Sequence, residues 1–466
     1  MNVERLRRYN YRQLFWKWHK YAGLLGGPLL MLIAVTGSIL VFAPEIDHWL
    51  RPDLWTLPPT SSESALAPVT EQSLIDGVRR AYPTETLVLY RQNRKGGEPH
   101  QYWFSATGRG GFRHVWVNPR TGEIVGERMW ESSFLRIVEQ LHRRLLSGET
   151  GSSIIELITG WGIVLTLTGC FLWWPKTIKT LWHGLTLSLR GSAYKVNWRL
   201  HNTVGAWVSL FVLLMCLTGM VFSTYSGKLY FTLMNATGGS SRSESERPRS
   251  VPMEGRGTIG MDEVLAVVRR DVADDAPLSV TLPRGPTDCI TVTANQEARP
   301  LWSNRGGYRS WTFDQYSGAL LSSATWDDLH PMMKFARLSL TIHYGSIFGL
   351  PTKVIALLAC LGVPLLSITG YLIWWWKRRG KQKIANRPLA TAASRTERDS
   401  EPISKWLVAS LIVVSVMFPT IGVSFVALAM FEGLVAVWRS GRGRREESNG
   451  SKSDAAEIAD VQSQPV

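Results

Sequence analysis

Residues 18–37 read WHKYAGLLGGPLLMLIAVTG, and residues 200–219 read LHNTVGAWVSLFVLLMCLTG. In each stretch a histidine stands 17 residues before a Thr-Gly pair: His19 before Thr36-Gly37, and His201 before Thr218-Gly219. Self-similarity at a fixed spacing is the mark of duplication. A second motif repeats as well. His142 precedes Gly148 by 6 residues and Thr168-Gly169 by 26, and His343 precedes Gly349 by 6 and Thr369-Gly370 by 26. Both of these stretches close on tryptophans and a lysine, Trp173-Trp174-Pro175-Lys176 and Trp374-Trp375-Trp376-Lys377.

Outward from these motifs the chain divides by hydropathy. Apolar runs at 21–43, 154–174, 204–223 and 353–376 each approach the roughly 20 helical residues that cross a bilayer core. The expected fold is an α-helical membrane bundle of four core spans built by internal duplication, with two water-facing regions at 44–153 and 224–351. The first span is read as retained, because it is long, contains Pro28 and lacks a small-x-small cleavage site before Pro44. A further apolar segment at 406–438 is broken by Pro419 and Gly422, and is either one kinked span or a hairpin. The tail, 439–466, is polar and Ser-rich, a composition that favours disorder.

The net charge of +15 raises nucleic-acid binding, but the basic residues cluster beside the spans. Residues 1–20 carry Arg5, Arg7, Arg8, Arg12, Lys17 and Lys20 against one acid, and the loop 175–203 carries five basic residues between 175 and 200 with no acid. The segment 377–405 begins with a third such cluster. By the positive-inside rule these three segments face the cytoplasm, and the two long loops face the other side. No recognisable nucleic-acid-reading motif accompanies the charge. Cys170, Cys216 and Cys360 lie in apolar spans and Cys289 stands alone in a long loop, so no disulfide is expected there.

Alternating apolar residues at 101–117 and 278–292 predict strands, and helices are expected at 72–82 and 261–272. Trp116-Val-Asn-Pro-Arg-Thr-Gly122 corresponds to Trp311–Gly318, with Asn118 and Asp314 each four residues before a glycine, as in a strand entering a tight turn. Each long loop therefore reads as a small α+β module.

Four of the nine histidines, His19, His142, His201 and His343, occupy equivalent positions of the repeat at or near span boundaries. A single interfacial histidine is ordinarily a polar group facing headgroups. Four in register are different, because ionisable residues at such depth are costly unless paired or used. The topology puts His19 and His201 at the cytoplasmic ends of their helices and His142 and His343 at the exported side, one pair per face, as cofactors are held between facing helices of a bundle. No carboxylate or cysteine repeats alongside, so haem iron suits the pairs better than zinc or di-iron. With no Cys-x-x-Cys-His, the haem would be of b type, two per chain. Glycines such as Gly23, Gly26, Gly160, Gly162 and Gly205 fit close helix packing with or without a cofactor. The glycines at 108–111 and 306–307 form no phosphate-binding loop, so a nicotinamide or flavin domain is not expected.

Trp18-His19 with Gly23, Leu141-His142-Arg143 with Gly148, Leu200-His201 with Gly205, His343-Tyr344-Gly345 with Gly349, and the Thr-Gly and Trp-Trp endings resemble the PepSY-associated transmembrane family of bacterial inner-membrane proteins, over roughly residues 10–380. The two modules are similar to its PepSY repeats. Members include ferrisiderophore reductases, so the resemblance implies haem-dependent reduction of Fe(III)-siderophore in the periplasm, with electrons from a cytoplasmic or quinol donor. The segment 406–438 departs from its four-span members. Two other functions stay open: modules that bind a partner while the helices only anchor them, and reduction of another periplasmic acceptor. Glu45, Asp47, His48, Asp327, Asp328 and His330 lie near the exported ends of spans, where a ferric ligand could approach, although solvated loop residues are the plainer reading. His100, His114 and His183 have no repeat partner and are read as surface or structural.

Overall fold

The computed structural model describes residues 11–57, 69–93, 97–106, 110–175, 177–239, 248–253, 255, 257–272, 276–294 and 308–385, and, further on, 412, 414–428, 430, 434 and 438. It comprises two units, one from residue 11 to 397 and one that joins the N-terminal ten residues to 398–466. In the second unit the described residues are helical on either side of a bend at Phe418, and the apolar helix Pro419–Leu428 is shorter than a span. Residues 386–411, the choice between kinked span and hairpin, and the tail 439–466 lie outside the described residues.

In the larger unit, α1 (Tyr11–Val41) leads through α2 (Ala43–Leu50) and α3 (Pro52–Trp55) to the first water-facing region. That region holds α4 (Glu71–Ala81), strands β1 (Thr86–Gln92), β2 (His100–Ser105), β3 (Phe112–Val117) and β4 (Ile124–Met129), and α5 (Phe134–Arg144). Next come α6 (Gly148–Trp173), α7 (Ile178–Leu185), α8 (Ala193–Met220) and α9 (Tyr225–Ala236). The second region holds α10 (Met261–Val268), β5 (Leu278–Thr281), β6 (Cys289–Ala294), β7 (Arg309–Asp314), β8 (Leu320–Thr325) and α11 (Pro331–His343), before the final α12 (Leu350–Ala385).

Arg12–Val41, Gly148–Trp173, Ala193–Met220 and Leu350–Arg379 are helices long and apolar enough to cross a membrane. In hydrocarbon a backbone must satisfy its own polar groups, which is why apolar runs of this length are helical. Pro28 tests that rule inside α1, since proline leaves the carbonyl four residues earlier without its helical donor. The Tyr371 hydroxyl of α12 donates to that carbonyl, Leu24 O, and Ser367 Oγ donates to Gly27 O at 3.3 Å. Each of α1 and α8 packs against both α6 and α12, so α1 and α8 face each other diagonally across the bundle.

Neither His142 nor His343 belongs to a span. His142 lies in the last turn of α5, which packs on α1 and α6, and His343 ends α11, which packs on α8. Leu145 and Leu146 close α5 in left-handed geometry (φ 47° and 56°), with Leu145 N donating to Leu141 O at 3.2 Å. The glycine six residues after each histidine opens the next span with positive φ, 57° at Gly148 and 71° at Gly349, a conformation that strains other residues.

Where the sequence suggests two separate modules, the strands form one antiparallel sheet in the order β4-β3-β2-β1-β5-β6-β7-β8. The halves meet at β1 and β5, with Tyr90 opposite Val280. α4 and α10 share one face and one core, in which Leu74, Val78, Tyr102 and Phe104 of the first half join Val264, Val292 and Phe313 of the second. The helices also cap each other: Asp262 accepts from Glu71 N at 2.8 Å and Gln72 N at 3.1 Å, and Gln72 Oε1 accepts from Met261 N at 2.9 Å. The two expected turns are present, with Gly122 N donating to Asn118 O at 2.9 Å and Gly318 N to Asp314 O at 3.0 Å.

Candidate functional site

The repeated Thr-Gly pairs and the four histidines form one arrangement four times over. His19 of α1 sits on Thr168-Gly169 of α6, with Nδ1 3.0 Å from Leu165 O and 3.2 Å from Thr168 Oγ1. His142 sits in return on Thr36-Gly37 of α1, with Nδ1 2.9 Å from Ile33 O and 3.1 Å from Thr36 Oγ1. In the second half His343 sits on Thr218-Gly219 of α8, its Nδ1 3.0 Å from Met215 O and 3.3 Å from Thr218 Oγ1. His201 sits on Thr369-Gly370 of α12, its Nδ1 3.0 Å from Thr369 Oγ1.

Hydrogen-bond donors fix the tautomer. Each threonine hydroxyl gives its own proton to the carbonyl one turn earlier: Thr36 to Leu32 O (2.8 Å), Thr168 to Val164 O (2.6 Å), Thr218 to Leu214 O (2.7 Å) and Thr369 to Leu365 O (2.7 Å). Toward the imidazole the threonine oxygen is therefore an acceptor, as a carbonyl oxygen always is. Nδ1 must carry the proton, and Nε2 keeps a lone pair for a ligand. The glycine of each pair makes the room. A Cβ on Gly37 would stand 3.1 Å from His142 Cε1, on Gly169 3.0 Å from His19 Cε1, on Gly219 3.0 Å from His343 Cε1, and on Gly370 3.4 Å from His201 Cε1.

Each seat lies within one half of the duplication, whereas each histidine's ring neighbour belongs to the other half. His19 and His201 have ring centroids 6.2 Å apart, with planes at 85°, and His142 and His343 are 6.3 Å apart at 56°. An imidazole nitrogen binds a first-row metal at about 2 Å and its ring centre lies roughly 1 Å behind, so rings on opposite sides of one metal are about 6 Å apart. Both pairs have that separation. Among the described residues, no group of three or more His, Cys, Asp or Glu could hold a bare metal ion. Two imidazoles without a third protein donor would suit a metal carried in a cofactor that supplies its remaining donors.

The other sequence candidates are engaged within the chain. Glu45 pairs with Lys353 at 2.5 Å, and His330 caps α11 by accepting from Met332 N at 3.3 Å. Asp328 accepts from Thr325 N at 2.8 Å, and Asp327 O accepts from Lys334 Nζ at 3.1 Å. Asp47 pairs with Arg128 at 2.6 Å and accepts from Trp55 Nε1 at 3.1 Å, while His48 stacks on Trp55 at 4.2 Å. His183 is exposed on α7, and His100 is buried 3.7 Å from Glu71.

His114 has a neighbourhood the sequence does not disclose. On the sheet face opposite α4 it is sandwiched between Trp103 (4.3 Å) and Trp130 (5.2 Å), nearly parallel to both. Arg91 lies over Trp103 at 4.9 Å, and Arg128 over Trp116 at 5.2 Å. Burial above all, and then the charges of Arg128 and Arg91, push the His114 imidazole down to about 3, so it is neutral in the stack at physiological pH.

A family model described as "PepSY-associated TM region" matches residues 16–378, from the start of α1 to the end of the fourth span. No curated protein matches the chain.

Proposed function

The chain belongs to the family of the PepSY-associated TM region, and from that premise we propose that its seated histidines hold two b-type haems in a path that carries electrons across the bacterial inner membrane to an Fe(III)-siderophore. His19 and His201 would hold the cytoplasmic haem, and His142 and His343 the periplasmic one. The observation that carries this reading is the doubled pair: ring separations of 6.2 and 6.3 Å, each ring with its Nδ1 turned to an acceptor.

Haem held by the two imidazoles of each pair would supply one-electron redox chemistry. The protein's part is to hold and orient. The carbonyl and threonine acceptors lock each imidazole, and the surrounding apolar helices keep water from the sites. Along α1, His19 and Thr36 are 17 residues apart, about 25 Å of helix. That distance is close to the roughly 30 Å of a bilayer core, which puts one site toward each face. Lys and Arg beside 1–20 and 175–203 orient the His19 and His201 end toward the cytoplasm and its donor, or toward quinol. One electron delivered to the chelated Fe(III) yields Fe(II), which hard oxygen donors hold far less firmly, so the iron is released.

The test is direct. Haem-loaded protein in detergent, reduced with a stoichiometric amount of dithionite under anaerobic conditions, is mixed with Fe(III)-desferrioxamine and a ferrous chelator. Reoxidation of the haem bands with matching appearance of Fe(II) is the expected result. Reduced bands that persist with this and with a catecholate chelate would refute the siderophore as acceptor, and reoxidation by another metal or sulfur compound alone would assign a different one.

A further inference from the structure

Resting on the haem reading above, we propose that Thr36, Thr168, Thr218 and Thr369 are positioning residues that set the reduction potentials of the two sites through the far nitrogen of each ligand. Every one of the four hydroxyls spends its proton on its own helix and turns its oxygen to an Nδ1–H. An acceptor on that proton draws the imidazole toward imidazolate, makes Nε2 a stronger donor and favours ferric over ferrous iron. Hydroxyl-to-carbonyl bonds are common for threonine in apolar helices and need no further role. What a plain packing role does not require is a histidine Nδ1 on each such oxygen, four times in four.

All four contacts are of hydrogen-bond length. Thr369 stands 3.0 Å from His201, Thr36 3.1 Å from His142, Thr168 3.2 Å from His19 and Thr218 3.3 Å from His343. At all four a backbone carbonyl also accepts, that of Leu366 in the case of His201, so removing one hydroxyl leaves a partner in place. Thr369 has a second tie, because its own carbonyl accepts from Asn197 Nδ2 at 2.9 Å and so joins α8 to α12 beside the seat.

Thr369→Val, Thr36→Val and Thr218→Val, with Thr369→Ser and Thr36→Ser as conservative partners, would be made in the full chain. Haem content and anaerobic spectroelectrochemical titration would be recorded for each. Thr369→Val is expected to keep both haems and to move one midpoint positive, lowering the ferric-to-ferrous ratio at fixed potential up to about tenfold, about 59 mV for a one-electron couple. Thr36→Val and Thr218→Val should each move the other midpoint in the same direction, and the serine variants should return toward wild type. Should Thr369→Val fail to assemble, Thr36→Val carries the same test on the second pair. Unchanged midpoints with haem retained, or a shift that serine does not reverse, overturn the proposal. A wild-type chain that binds no haem fails earlier, at the cofactor reading itself.

Discussion

Inside the bundle the two halves of the duplication carry the same seat: Thr36-Gly37 holds His142 as Thr218-Gly219 holds His343, and Thr168-Gly169 holds His19 as Thr369-Gly370 holds His201. On the outer face of the sheet the halves have parted. Strand register sets Arg91, Trp103, His114, Trp116 and Arg128 of the first half against Thr281, Thr293, Ser310, Thr312 and Ala324 of the second. The difference follows from what each place must do. A ring pair takes one histidine from each half, so neither copy of a seat can drift without spoiling a site that the other shares. The outer sheet face has no such partner: in the first half it is roofed by α2 and α3 through Asp47, Trp55 and Leu54, while its counterpart is lined by small hydroxyls.

The comparison can be broken most decisively at the histidines. His343→Ala or His142→Ala should remove one haem of the two and leave the other, and His19→Ala or His201→Ala should do the reverse, as read by haem per chain. If the same single haem disappears with any of the four, the pairs are not separate sites. Next in size is the sheet face. Trp116→Ala, which empties a wholly buried position, should destabilise the sheet by about 3–5 kcal/mol, while Thr312→Ala at the matching position should cost less than about 1 kcal/mol. Thermal unfolding monitored by limited proteolysis would distinguish them, and equal costs would mean the faces are alike after all.

A smaller effect is expected at the glycines. Gly219→Val puts a branched side chain where a Cβ alone would meet His343 Cε1 at 3.0 Å. Overpacking of this kind costs about 1–3 kcal/mol, or roughly tenfold or more in occupancy of the His142 and His343 site, with the other site untouched. Gly219→Ala should fall between.

The last is a pH effect, confined to acid conditions. The folded His114 titrates at about 3, below the ordinary 6.5, so the unfolded chain takes up this proton first. The contribution is fully present above pH 6.5 and is lost as pH falls from there toward 3. His114→Phe should flatten the decline in unfolding midpoint over that window, and an unaltered slope would show that the ring is not buried as described.

Much of this was legible because duplication amplifies weak signals. One interfacial histidine says little, but four at matched spacings identify the positions that come together. The Thr-Gly pairs were visible as a repeat and not as seats, since in an apolar run Thr-Gly is equally ordinary helix packing. Their role depends on which helix each histidine reaches, and that is a tertiary fact. The single sheet was hidden for a similar reason: its central pairing joins Tyr90 to Val280 across two spans, with no local pattern to announce it. α7 has no sequence signature because eight residues between Pro175 and Ser192 are too few to display a period. The acidic residues near the span ends were satisfied by Lys353, Arg128 and Thr325, partners that spacing does not reveal.

The pairing of seated histidines across the two halves is tested most directly by counting haem. The full chain, expressed with ample haem and purified in detergent, would be recorded oxidised and dithionite-reduced, with a pyridine haemochrome assay for haem per chain. Two b haems with low-spin bands are expected, and their low-spin resonances should differ, because the ligand planes cross at 85° in one pair and 56° in the other. A protein that is folded and free of haem would contradict the assignment and leave the helices as an anchor for the sheet.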